Sequence, residues 1–248
     1  MSDIRNSLDE ILDDSIDSIT NEQNFLKLVL SDTCEGNILK ELPIFKDNGA
    51  LYKLIFSVYA TFEFTIKECC NTVLLTIDNN SIDSLTDELQ MLTFRQKLDE
   101  LRKKITEKRE DKTVIKPLTD LHIKIKQQTK FNSNENMIDT KSNLNYKNFT
   151  EILEIFHFDK TKYKSYSIII ESIITYRNMI AHGNRKDLNE TNIRQHIPGN
   201  YQIITLQKEN NRLYFEDLCA KMIELLRLFC DDLESYVDNE RYLRSVVT

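Results

Sequence analysis

Two side chains able to handle charge stand near the end of an otherwise apolar run, Ser172-Ile173-Ile174-Thr175-Tyr176-Arg177-Asn178-Met179-Ile180-Ala181-His182-Gly183. An unpaired guanidinium in apolar surroundings costs several kcal/mol, so Arg177 requires either a carboxylate beside it or a cavity that admits an anion. An imidazole ordinarily titrates near ~6.5, so His182 could exchange protons around neutral pH. The other role open to His182 is a cation at a helix C-terminus, interacting with the dipole, and for Arg177 a structural ion pair.

The element that must carry both is a helix. Tyr166 to His182 contains no Gly or Pro, and Gly183 supplies the residue that helix C-termini favour just past their end. At about 100° per residue, Glu171, Thr175, Asn178 and His182 share a narrow polar stripe. Ile169, Ile170, Ile173, Ile174, Tyr176, Ile180 and Ala181 form a wide apolar arc, from which Arg177 projects. The most apolar segment of the chain, Leu51 to Ile77, reads as a central core helix. Its apolar face holds Leu51, Ile55, Val58, Phe62, Ile66, Cys69 and Val73, and Glu63 sits on the border, flanked in projection by Tyr52, Phe56 and Cys70. A carboxylate there is the expected partner of Arg177, since pairing satisfies two costly charges together.

The string Arg177-Asn178-Met179-Ile180-Ala181-His182-Gly183 resembles the Arg-Asn-x-x-Ala-His-Gly form of the signature of HEPN domains, all-helical modules many of which are metal-independent ribonucleases. The segment Ser142-Asn143-Leu144-Asn145, followed by a short helix, is also similar to stand-alone bacterial HEPN proteins, and the likeness extends over about residues 50–240. The resemblance implies RNA cleavage by attack of the ribose 2′-OH on the adjacent phosphate, leaving a 2′,3′-cyclic phosphate. On that account His182 moves protons, Arg177 neutralises the phosphorane, Glu63 orients Arg177, and Asn178 fixes the imidazole or contacts the substrate. The polar basic loop Asn184-Arg185-Lys186-Asp187 would bring Arg185 and Lys186 to phosphates. The resemblance further implies a homodimer with a composite site, an antitoxin or defence-system partner, and a toxin or anti-phage role. Two readings stay open beside it: a non-catalytic HEPN-type dimerising module whose Arg and His are structural, and an unrelated helical scaffold.

Composition bounds the answer. The 248 residues include 4 Gly and 3 Pro and are rich in Leu, Ile, Lys and Glu, which favours a mainly α protein. The net charge of −7 argues against a general nucleic-acid coat. Residues 1–50 carry 11 acids against 4 bases and residues 95–130 carry 12 bases against 6 acids, so a local basic surface is compatible with an acidic total. The five cysteines, Cys34, Cys69, Cys70, Cys219 and Cys230, lack zinc spacing and read as reduced, packed thiols. No apolar run reaches the roughly 18 residues of a membrane span, so a cytoplasmic protein is expected. Walker A, dinucleotide, EF-hand, His-Glu-x-x-His and nucleophile-elbow motifs are missing, and no metal or cofactor is expected.

In chain order, the expectation is one elaborated helical domain over 1–248: acidic N-terminal helices in 1–48, then a core over 50–240 with a basic insertion near 95–133. Helices are read at 3–19, from Glu22 to about Leu42, from Leu51 to Ile77, and from Ser81 to about Arg109, the last capped by Asp83 or Ser84. Leu121 to Lys126 alternates like a short strand with His122 on its solvent side. A helix carrying Ile152, Leu153, Ile155 and Phe156 ends near His157, and Lys160, Lys162 and Lys164 precede the motif helix. Residues 188–200 suggest a short helix, and Tyr201–Leu206 with Arg212–Phe215 suggests a small β-hairpin. A final core helix runs from Phe215 to about Tyr236.

Overall fold

The computed structural model describes residues 2–31, 33–42, 49–107, 119, 122, 123, 126, 129–133, 137–140, 143–182 and 211–244. Its elements are α1 (Ser2–Leu30), α2 (Cys34–Glu41), α3 (Gly49–Thr76), a 3-10 turn (Ile82–Ser84), α4 (Asp87–Glu107), α5 (Tyr146–Ile155), α6 (Lys160–Tyr163), a second 3-10 turn (Lys164–Tyr166), α7 (Ser167–Ala181) and α8 (Asn211–Asp238). The protein is mainly α, and pairing of strand type among the described residues is limited to two isolated bridges, Ser81 with Lys130 and Leu85 with Leu243.

The centre is α3, which packs against α1, α7 and α8. Every residue of its expected apolar face is buried, from Leu51 and Ile55 through Val58, Phe62, Ile66 and Cys69 to Val73. Polar cross-links set the direction of its neighbours. Ser15 meets Thr65 at 2.6 Å, Ser18 meets Thr61 at 3.3 Å, and Lys53 donates to Glu22 at 2.9 Å, so α1 runs antiparallel to α3. Arg5 pairs with Glu234 and Asp238 at one end of α8, and Lys27 with Glu216 at the other, so α1 is antiparallel to α8 as well. One hydrophobic cluster extends from Ile4 to Val237.

Where this differs from the sequence reading, packing decides. Residues 3–19 and the segment beyond Glu22 are one helix to Leu30, because Ile19, Leu26 and Val29 stay buried at helical spacing through the polar stretch Asn21 to Asn24. The break comes at Thr33, whose hydroxyl accepts the Gly36 N–H and caps α2. The segment after Ser81 starts as a 3-10 turn with Ser84 Oγ donating to the Ser81 carbonyl, and α4 proper begins only at Asp87. Instead of a strand, His122, Ile123 and Lys126 are helical, with His122 exposed. Arg212–Phe215 is likewise helical rather than half of a hairpin: no breaker interrupts Asn211 to Asp238, so these residues extend α8. The first half of that hairpin and the short helix at 188–200 lie outside the described residues. Four of the cysteines are buried as packed thiols, whereas Cys34 is exposed. No helix of the described residues is long and apolar enough to cross a membrane.

Two interactions fix the start of the motif helix α7. Asp232 of α8, itself buried, accepts from Lys162 Nζ at 2.7 Å and from the Tyr163 hydroxyl at 2.8 Å. Burial and the Asp232 carboxylate push the Tyr163 phenol upward, keeping it a neutral donor. Phe149 of α5 then joins three elements, its ring lying 6.0 Å from Phe62, 5.5 Å from Tyr163 and 5.8 Å from Phe229. Replacing it empties a fully buried junction between α3, α6 and α8. Phe149→Ala is expected to lose about 3–5 kcal/mol of stability in denaturant unfolding, and a loss under 1 kcal/mol would contradict this role for the ring.

Candidate active site

Arg177 lies on the fourth turn of α7, half-buried between α3 and the segment that leads into α5. Its Nη1 donates two hydrogen bonds, to Asn143 Oδ1 at 2.9 Å and to Asn178 Oδ1 at 2.9 Å. The guanidinium also stands over the ring of Tyr59, 5.2 Å from its centroid, where the face of the π system attracts a cation. Among the described residues no carboxylate forms an ion pair with Arg177 and no acceptor meets its Nε or Nη2.

Glu63 thus reaches Arg177 differently from the expected pair. It sits one turn after Tyr59 on α3 and acts on the Tyr59 hydroxyl, while the face of the same phenol ring meets the guanidinium. The same hydroxyl accepts the N–H of Leu144 at 3.0 Å. Burial first, then the Glu63 charge and hydrogen bond, push the Tyr59 phenol up to about 12, against the opposing pull of the Leu144 N–H and of Arg177. Tyr59 is therefore neutral across the physiological range.

The loop bearing Asn143 is held by hydrogen bonds to three other parts of the structure, α3, α5 and α7. The Leu144 N–H goes to Tyr59, the Asn145 N–H to the Asn143 carbonyl at 2.9 Å, and the Tyr146 N–H to Glu171 Oε1 at 2.9 Å. Asn145 caps α5 by accepting from the Asn148 N–H at 2.8 Å, and Asn148 Nδ2 returns to the Asn143 carbonyl at 2.7 Å. Leu144 is fully buried beneath this lattice. Glu171, which the helical wheel placed in the polar stripe of α7, thus puts its carboxylate at the N-terminus of α5, a favourable place for negative charge.

Asn178 turns its side chain toward Arg177, and its link to His182 is through the backbone, the His182 N–H donating to the Asn178 carbonyl at 3.0 Å. His182 is the residue at the C-cap of α7 and is exposed. Arg177, Asn178 and Glu63 are therefore brought together around Tyr59 and Asn143, while His182 stands at the helix end. Arg185, Lys186 and Gly183 lie outside the described residues. Sequence reasoning missed Tyr59 and Asn143; the signals were the four-residue spacing of Tyr59 and Glu63 on one helix face, and the Asn-Leu-Asn segment ahead of α5. Among the described residues no three His, Cys, Asp or Glu side chains are grouped as a metal site requires.

The buried phenol has a titration signature. Its folded-state pKa exceeds the ordinary value near 10, so its contribution to stability is complete below pH about 10 and is lost as pH rises through about 12. The difference in ultraviolet phenolate titration between wild type and Tyr59→Phe is expected to show a midpoint near 12. A midpoint near 10 would mean that Tyr59 is solvated.

The HEPN_MAE_28990-like HEPN family model matches residues 8–242, nearly the whole chain. Searches of curated proteins and of solved structures gave no match.

Proposed function

The chain belongs to the HEPN_MAE_28990-like HEPN family, and from that premise we propose that it is a metal-independent endoribonuclease. The observation that carries the reading is the state of Arg177. Its Nη1 is tied to two neutral amides while the Nε and Nη2 edge is left without an acceptor among the described residues. That edge is the fork whose parallel N–H groups fit two oxygens of a phosphate. A half-buried guanidinium without a carboxylate retains its charge for an anion.

In the proposed reaction the ribose 2′-oxygen attacks the adjacent phosphorus, the bond from phosphorus to the 5′-oxygen breaks, and the products are a 2′,3′-cyclic phosphate and a 5′-hydroxyl. Arg177 stabilises the negative charge that builds on the non-bridging oxygens. His182, exposed at the helix end, takes the 2′-OH proton or protonates the leaving oxygen. Asn178 acts on the arginine, and Glu63 acts through Tyr59. Arg185 and Lys186 contribute phosphate contacts. Two proton transfers are served better by two histidines, so the working species is a homodimer in which two copies face a shared cleft. In the cell the protein acts as a toxin or anti-phage effector that cuts RNA.

Purified wild type and His182→Ala are to be incubated with single-stranded and structured RNA in EDTA, and the product ends analysed. Cyclic-phosphate ends from wild type, with the rate lowered about 10²–10⁴-fold in His182→Ala, are expected. A folded wild type that leaves all RNA intact, or equal rates in the two proteins, would favour a non-catalytic HEPN module that serves as a dimerising partner.

A further inference from the structure

The two residues that hold Arg177 are not equivalent. Asn178 is its neighbour on α7 and moves with it, whereas Asn143 belongs to a separate segment, anchored to α3 through Tyr59 and to α5 through Asn148. Asn143 Oδ1 is thus a fixed point outside the helix against which the guanidinium is aimed. Both N–H groups of Nη1 are used by the two asparagines, which sets the plane of the guanidinium and leaves the Nε and Nη2 edge pointing away from them.

The chemistry of the acceptor matters as much as its place. A carboxylate at 2.9 Å would hold the arginine more strongly but would largely cancel its charge, and an amide oxygen orients without cancelling. The surrounding structure is consistent with that division. Glu63, the nearby acid on α3, forms no ion pair with the guanidinium among the described residues and acts on the Tyr59 phenol instead. The carboxylate of Glu171 is directed to the Tyr146 N–H.

We propose that Asn143 is a positioning residue for Arg177, a neutral acceptor that aims the guanidinium while leaving its charge and its Nε and Nη2 edge available to a phosphate. The inference rests on the proposed nuclease function for the use of that edge, but the aiming itself can be measured separately. Asn143 is not a catalytic residue, since it acts on the reaction only through Arg177.

The test uses Asn143→Ala and Asn143→Asp in the full chain, with circular dichroism and thermal unfolding to verify the fold. The first readout is nitrogen-15 NMR of the arginine guanidinium groups, with Arg177→Lys to assign the Arg177 signal and inorganic phosphate added as the probe. In wild type, restricted rotation and a phosphate-dependent shift of the Arg177 Nε signal are expected. Asn143→Ala should release the rotation, and Asn143→Asp should keep it restricted while losing the phosphate response. The second readout is RNA cleavage. Asn143→Ala should lower kcat about 100-fold through misplacement of the cation, and Asn143→Asp should be impaired although its arginine stays ordered.

An Arg177 signal unchanged by Asn143→Ala overturns the positioning role, whatever the cleavage rates. A phosphate response in Asn143→Asp equal to that of wild type overturns the requirement for a neutral acceptor. A wild type that orders Arg177 and binds phosphate there but cuts no RNA refutes the nuclease reading alone. A purely packing role for Asn143 would lower thermal stability equally in both variants without separating them in the phosphate response.

Discussion

The structure around the site depends on one constraint: a guanidinium has been brought half out of water without a carboxylate among the described residues to pair with it. Removing a cation from solvent costs several kcal/mol unless its donors and its charge are answered. Here the answer is divided among groups that each supply part of it. Asn143 and Asn178 satisfy Nη1, and the Tyr59 ring offers its negative face at 5.2 Å. None of them is charged, so they offset the electrostatic cost only in part, and the proposed phosphate would supply the rest. A site of this kind keeps its geometry only if the surroundings are stiff enough not to collapse onto it.

That stiffness is assembled from two directions. On one side α3 is buried along its whole apolar face between α1, α7 and α8, so Tyr59 and Glu63 project from a helix packed against three others. On the other, the amides of Leu144, Asn145 and Tyr146 are taken by Tyr59, by the Asn143 carbonyl and by Glu171. The Phe149 ring then ties the following helix to Phe62, Tyr163 and Phe229. Asp232 grips Lys162 and Tyr163 just ahead of α7, so the motif helix is held at its start as well as at Arg177. A change in the aromatic junction and a change in the amide lattice therefore act on the same guanidinium from opposite ends.

The sequence disclosed what is periodic and concealed what is singular. The extent of α3 and α7, the burial of residues such as Phe62, Ile66 and Ile173, and the border position of Glu63 follow from repeating apolar spacing. The join of two N-terminal segments into α1 was harder to read, since Asn21 to Asn24 is polar and only the contacts of Leu26 and Val29 with the core carry the helix through. Strand-like alternation around His122 and the hairpin reading of Arg212–Phe215 misled for the opposite reason: over four to six residues a strand-like pattern is not distinguishable from a stretch of helix. At the site, Arg177 announced a need for a partner, and a carboxylate was the natural expectation. What meets it is an amide from a loop about 34 residues earlier, which no spacing rule encodes, because its approach is set by the packing of three helices.

The placement of His182 relative to Arg177 gives the proposed dimer a physical argument. Five residues along a helix amount to about 140° of net rotation and about 7.5 Å of rise. Arg177 faces Tyr59 and Asn143, whereas His182 ends the helix in an exposed position. Asn178, which lies closer to His182 around the axis, is turned back toward the arginine and carries no side-chain bond to the imidazole among the described residues. On the proposed mechanism one copy would hold its charge-stabilising group, Arg177, against Tyr59 and Asn143, apart from its proton-transfer group, His182, at the exposed helix end. Two copies related by a twofold axis can place the arginine of each opposite the histidine of the other, and a phosphate lying between them meets both kinds of group without either helix distorting. In the proposed dimer the separation within one chain would become convergence between two, and the aim that Asn143 gives Arg177 would set whether the fork points into the shared cleft.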